Sequence, residues 1–156
     1  MTTTSNAGGR HAAAFPAWLP AFNAIARRLL AAGAPIGPDM LLTVRGRRTG
    51  LPRTTPVAIC AHGDRRGVIA VFGETEWVRN LRADEHATLR VGRRREEVRA
   101  VELTGVDAVE FFRDVLAPQA RADPINAWFV RSVDHIDIDD PEGSAVGRPV
   151  FELFPA

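Results

Sequence analysis

The run MLLTVRGRRTGLPRTTPVAICA, Met40 to Ala61, holds two apolar stretches on either side of a basic, glycine-containing segment. Met40 to Val44 is short and apolar, and in Thr54 to Ala61 Val57 and Ile59 alternate with smaller or polar residues, so both read as strands. Between them, Arg45 to Arg53 carries Gly46 and Gly50 and reads as their loop. Downstream, the Gly and Asp of His62 to Gly67 form a turn into an apolar strand, Val68 to Phe72, which Gly73 ends. Thr75 can cap a short helix to about Ala83, with Trp77, Asn80 and Leu81 on one face. Ala87, Leu89 and Val91 then alternate with Thr88 and Arg90, and a turn at Gly92 to Arg94 leads into a longer strand, Arg95 to about Leu103.

Further out, Asp107 and Glu110 have capping-box spacing before a helix marked by Ala108, Phe111, Phe112, Val115 and Leu116, which is expected to stop before Pro118. Asp123 and Pro124 open another helix, with Ile125, Trp128 and Phe129 on its buried face, and Pro149 to Phe154 forms a last short strand. Upstream, Phe15, Trp18, Leu19, Phe22, Ala26 and Leu29 predict an amphipathic helix from Pro16 or Pro20 to Ala32. Residues 1–14 have the composition of a disordered tail, and residues 15–156 read as one domain. Strands in hairpin order with helices before and after them argue against an alternating βαβ sheet. They predict an α+β fold, a small barrel of about six mostly antiparallel strands with flanking helices.

The chain has 156 residues, 46% apolar and 25% charged, the proportions of an ordinary soluble domain. All 20 basic residues are Arg, and the absence of lysine excludes a P-loop lysine, a Schiff-base lysine and a Ser-Lys nucleophile pair. Tyrosine is also absent, and a lone Cys60 in an apolar run makes neither an intrachain disulfide nor a thiolate metal cluster. Cys60 is expected to be a buried small hydrophobe. The longest apolar stretch, Phe15 to Ala34, is broken by Pro16, Pro20, Arg27 and Arg28, so no transmembrane segment is expected and the chain reads as cytoplasmic.

The net charge is only +1, but residues 132–156 hold six acids against Arg148. The base is concentrated in Met40 to Arg53, with four Arg and no acid, and in Arg90 to Arg99, with five Arg. Such local patches suit a small polyanion better than a nucleic-acid duplex, and no nucleic-acid partner is expected. Gly46 and Gly50 can bend the backbone so that successive N–H groups converge, with the Thr49 hydroxyl and the guanidiniums of Arg45, Arg47, Arg48 and Arg53 adding charge-assisted donors. The segment reads as an anion cradle or, more simply, as a solvated basic turn.

In a second segment, Phe72 to Ala83, a strand opens through Gly73 into a helix start whose free N–H groups could meet the carbonyl edge of a planar heterocycle. Trp77 could wall that pocket or simply be core. On strand alternation His135, Asp137 and Asp139 would share a face as metal ligands, although an acidic solvent-facing segment explains them more simply, and no metal site is expected. His11 and His62 read as solvated; His86, just after the short helix, is open. No catalytic acid/base pair stands out.

In this order and spacing, the two segments resemble the deazaflavin-dependent nitroreductase family of split β-barrel proteins, over about Met40 to Leu103. The family's phosphate loop, Thr-x-Gly-Arg-(Lys or Arg)-(Ser or Thr)-Gly-x-x-Arg-x-x-Pro, is matched by Gly46, Arg47, Arg48, Thr49, Gly50, Arg53 and Pro56, with Arg45 where a second Thr is common. Its Trp-x-x-Asn-Leu-x-Ala is matched by Trp77, Asn80, Leu81 and Ala83. The resemblance implies the deazaflavin coenzyme F-420, its phosphate and glutamate tail held by the arginine loop with Pro56, and its ring near Phe72, Gly73, Trp77 and Asn80. It implies hydride delivery to a small electron-poor acceptor, a quinone, an activated alkene or a nitro compound, and a possible homodimer. Many relatives have a longer Lys-Gly-Gly segment before this Trp, and some place tyrosines over the substrate. Here the acceptor pocket would draw on residues such as Trp18, Phe22, Trp128 or Phe129. The alternatives are an FMN-binding split barrel and a non-catalytic module for an anionic ligand or nucleic acid.

Overall fold

The computed structural model describes residues 39–91, 93–124, 127, 131 and 135–156. The expected tail, the first helix with Trp18 and Phe22, Gly92, Ile125, Trp128 and Phe129 lie outside the described residues. Six strands, β1 (Asp39–Arg45), β2 (Pro52–His62), β3 (Arg65–Ile69), β4 (His86–Val91), β5 (Arg94–Leu103) and β6 (Val150–Pro155), close into a barrel in the order β1-β2-β3-β6-β5-β4. Every neighbouring pair is antiparallel, including the closing pair, where Leu42 stands opposite Leu89. The α+β barrel read from the sequence is the observed architecture.

Strand alternation divides the apolar residues between two cores. Leu42, Val44, Val57, Ile59, Val68, Ala87, Leu89, Val98, Phe151 and Leu153 fill the barrel, joined by Val78 and Leu81 of α1 (Glu76–Ala83), with Trp77 packed against them. Their neighbours in sequence, Cys60, Ile69 and Val150, point outward into a second core beneath the helices. Those helices are α2 (Gly105–Phe111), a π-helical turn (Phe112–Leu116) and α3 (Ala117–Ala122). Phe111, Phe112, Val115, Ile136 and Ile138 complete this outer layer, and Cys60 is buried within it as expected.

Three boundaries differ from the sequence expectation. β3 begins at Arg65 and ends at Ile69, because Arg65 pairs in a fork with Glu152 and Arg66 with Glu96, anchoring charged residues in the sheet, while Gly73 N–H bonds to Ala70 O in a turn. The α2 helix starts after Thr104, two residues ahead of Asp107, which makes no cap. The helical path also continues through Pro118: Ala117 N–H bonds to Phe112 O, five residues back, so the turn is widened just before the proline. Ala127 N–H bonds to Asp123 O, one helical turn after the expected N-cap. Pro141–Ala145 is a short helix, α4, capped by Asp140 Oδ1 accepting from Gly143 N–H.

Candidate functional site

The β1–β2 loop is internally braced. Gly46 N–H bonds to Leu51 O and Gly50 N–H to Gly46 O, both at 2.8 Å, and Leu51 N–H bonds to the Thr49 hydroxyl at 3.2 Å. Gly50 has φ +70°, which favours glycine. At Gly46 a Cβ would sit 3.0 Å from the Thr49 hydroxyl and 3.1 Å from Leu51 O, so a side chain there would press on both.

A second brace comes from helix α1. Asn80, only 5% exposed, accepts through Oδ1 from the Arg47 backbone N–H at 3.1 Å and from the Arg47 guanidinium at 2.9 Å. The same guanidinium donates to Glu76 at 2.7 Å, and Arg79 holds the other Glu76 oxygen at 2.8 Å. These two arginines, Arg47 foremost, keep the Glu76 carboxyl below the usual carboxylate range. Glu74 pairs with Arg82, which also forks onto Glu102, and its carboxyl too is held low, chiefly by Arg82.

The predicted arginines therefore differ. Arg47 is the internal rivet between loop and helix, whereas Arg48 and Arg53 are exposed and carry no hydrogen bond or ion pair to any described residue. Arg45 lies across Gly50: a Cβ built there would be 3.7 Å from its guanidinium. Gathered around one loop are thus Arg45, Arg47, Arg48, Thr49, Gly50, Arg53 and Asn80. Pro56 stands further along β2, opposite Leu41.

Phe72 and Gly73 form the turn before α1, Gly73 at φ +86°. Trp77 is half-buried, packs on the barrel core and meets the Phe151 ring at 5.9 Å between centroids. Thr75 occupies the N-cap position, but its hydroxyl makes no cap; it is buried with no hydrogen-bond partner. Glu76 escaped the sequence reading, although its i,i+4 spacing to Asn80 puts both on the helix face that meets the loop.

The His135 to Asp139 segment is irregular, not a strand. Ile136 and Ile138 are buried while His135, Asp137 and Asp139 are exposed, and Asp139 pairs with Arg121. Among the described residues no group of three ligating side chains could hold a metal, and no helix is long and apolar enough to cross a membrane.

The fold is thus a closed antiparallel barrel whose glycine-bent, arginine-bearing β1–β2 loop is braced against α1, the architecture of a split-barrel protein. Over residues 22–131 the sequence matches, and the chain belongs to, the F420H(2)-dependent quinone reductase family. It is a deazaflavin-dependent oxidoreductase, and its cofactor is F-420. Among solved structures, a protein described as a domain-swapped dimer is 17% identical, with 88% of this chain and 97% of that chain covered and a TM-score of 0.52. An F420-H2 dependent reductase (FDR-A) is 20% identical over 75% of this chain and 94% of that one, with a TM-score of 0.49. A pyridoxamine 5'-phosphate oxidase-related, FMN-binding protein from Nostoc punctiforme is 10% identical over 92% of this chain and 83% of that one, with a TM-score of 0.50. No curated protein matches the chain.

Proposed function

We propose that the arginine loop holds the anionic tail of the coenzyme and that the segment from Phe72 to Asn80 receives its ring, for the reduction of a quinone or a similarly electron-poor alkene or nitro compound. The observation that carries this reading is the pair of exposed guanidiniums, Arg48 and Arg53, without a partner among the described residues, on a loop whose own shape is already satisfied by Asn80. A phosphodiester and carboxylates need always-charged fork donors, and these two have no partner among the described residues to give up. Arg45 adds a third, and Arg47 keeps the backbone in register by staying bound to Asn80 and Glu76.

At the other end, the buried Thr75 hydroxyl needs a partner, and a carbonyl or imide edge supplies one. Gly73 lets the backbone approach a planar ring, with Phe72 beside it in the chain. When bound, the reduced coenzyme supplies the hydride; the protein's share is to bind, orient and exclude water, which needs no strongly activated side chain. The FMN-binding fold relative keeps FMN as the second reading. A cytoplasmic location and pairing into a homodimer belong to the same proposal, the latter suggested by the relative described as a domain-swapped dimer.

The test is fluorescence titration of oxidised F-420 and of FMN into the protein and into Arg48→Ala with Arg53→Ala. Each lost charge-assisted contact is worth about 1.5–3 kcal/mol, so the double variant is expected to bind F-420 at least a hundredfold more weakly with an unchanged melting midpoint. Affinity within about twofold of the parent would remove the loop from the site, and tighter binding of FMN would favour the second reading.

A further inference from the structure

Away from the arginine loop, the outer face of β1, β2, β4 and β5 carries a second basic hollow of about 190 Å³, lined by Leu41, Thr43, Thr54, Thr88, Arg90 and Arg95. Strand register explains its construction. With Leu42 and Val44 inside the barrel, Leu41 and Thr43 face outward. Thr43 stands opposite both Thr54 and Thr88, Leu41 opposite both Pro56 and Arg90, and Arg90 opposite Arg95. The result is a row of three hydroxyls beside two guanidiniums, over an apolar floor.

Two features of this hollow are costly unless something is bound there. Like charges directly across an antiparallel pair repel, yet Arg90 and Arg95 are set face to face. The Arg90 Nε–H is buried and has no hydrogen-bond partner, a state native proteins rarely leave uncompensated. Glu97 accepts from the Thr88 hydroxyl at 3.0 and 2.9 Å and lies 3.8 Å from Arg95, while Arg90 makes no ion pair among the described residues. The Thr43 and Thr54 hydroxyls bond to each other at 2.8 Å.

We propose that this hollow is an oxyanion site, distinct from the arginine loop, which takes the carboxylate or phosphoryl group of a small ligand between Arg90 and Arg95. It does not depend on the assignment of the loop to the coenzyme tail.

The experiment uses the purified full chain and two probes, inorganic phosphate and citrate, followed by amide shifts in nitrogen-15 spectra. Saturable shifts are expected at Thr43, Thr88 and Arg90, unchanged in Arg48→Ala with Arg53→Ala. They should need at least tenfold more probe in Arg90→Gln and in Arg95→Gln; Arg95 is exposed, so its variant serves if Arg90→Gln does not fold. The tighter probe identifies the head group as phosphoryl or carboxylate. The proposal is overturned if shifts are confined to residues 46–53, if both Gln variants titrate like the parent, if the loop variant abolishes the shifts, or if neither probe produces them.

Discussion

Asn80 is a single neutral amide, yet it holds two donors of Arg47 from a position thirty-three residues away in sequence. Asn80→Leu leaves the Arg47 backbone N–H without its acceptor and the Arg47 guanidinium with Glu76 alone, and about 1.5–3 kcal/mol is lost where the partner is charged. Both a lower midpoint in urea and weaker coenzyme binding are expected. Asn80→Asp keeps an acceptor at the same reach and should restore most of the stability; if Asn80→Leu melts like the parent, the rivet is not structural. Glu76 adds a pH signature. Its folded-state pKa is depressed, so its contribution is complete above the ordinary value of 4.5 and fades as pH falls through the lower, folded value. Melting midpoints measured downward from pH 6 should therefore fall more steeply for the parent than for Glu76→Gln. At this scale the sequence marked residues that the fold gathers around one loop, but not their division of labour. Gly46, Gly50 and Asn80 are legible from backbone needs and motif spacing, whereas the internal use of Arg47 depends on where α1 lands.

Whole elements were legible wherever apolar periodicity carried them. β1, β2, β4, β5 and β6 follow their alternation to within about two residues, since each has one face in the barrel. β3 escaped that rule because two arginines at its start are held by carboxylates on β5 and β6, and no local pattern announces such partners. Elements pack closely at Gly67 of β3, where a Cβ would lie 2.6 Å from the Phe111 ring and 2.6 Å from Phe151 O. Overpacking of this kind costs about 1–3 kcal/mol. Gly67→Ala should lower the denaturation midpoint accordingly, and Phe111→Leu in the same chain should recover part of the loss; an unchanged midpoint for the single variant would mean that α2 shifts freely on the barrel. On the other flank of this layer, the Gln119 side chain accepts from Ala61 N–H and donates to Ile59 O, occupying β2 backbone groups past Ala58, where the pairing with β1 begins at Asp39.

For the molecule as a whole, the class of fold followed from hairpin order, but the closing contacts did not. β3 meets β6 across more than eighty residues, and β6 contributes Val150 to one core and Phe151 and Leu153 to the other. Deleting residues 150–156 would remove those side chains and bare the edges of β3 and β5 together. The truncated protein is expected to sediment as aggregate on expression, with a loss of cooperative melting in whatever stays in solution. A soluble, cooperatively melting truncation would show that the sheet does not need its sixth strand. The same placement of β6 has a consequence on the ribosome. Synthesis proceeds from the N-terminus at about 5–20 residues per second, and five of the six strands are translated well before the one that seals them. The nascent chain therefore spends that interval as an open sheet with two sticky margins, a natural client for a chaperone. Synonymous codons that slow translation between residues 104 and 149 should lower the soluble yield without altering the finished protein.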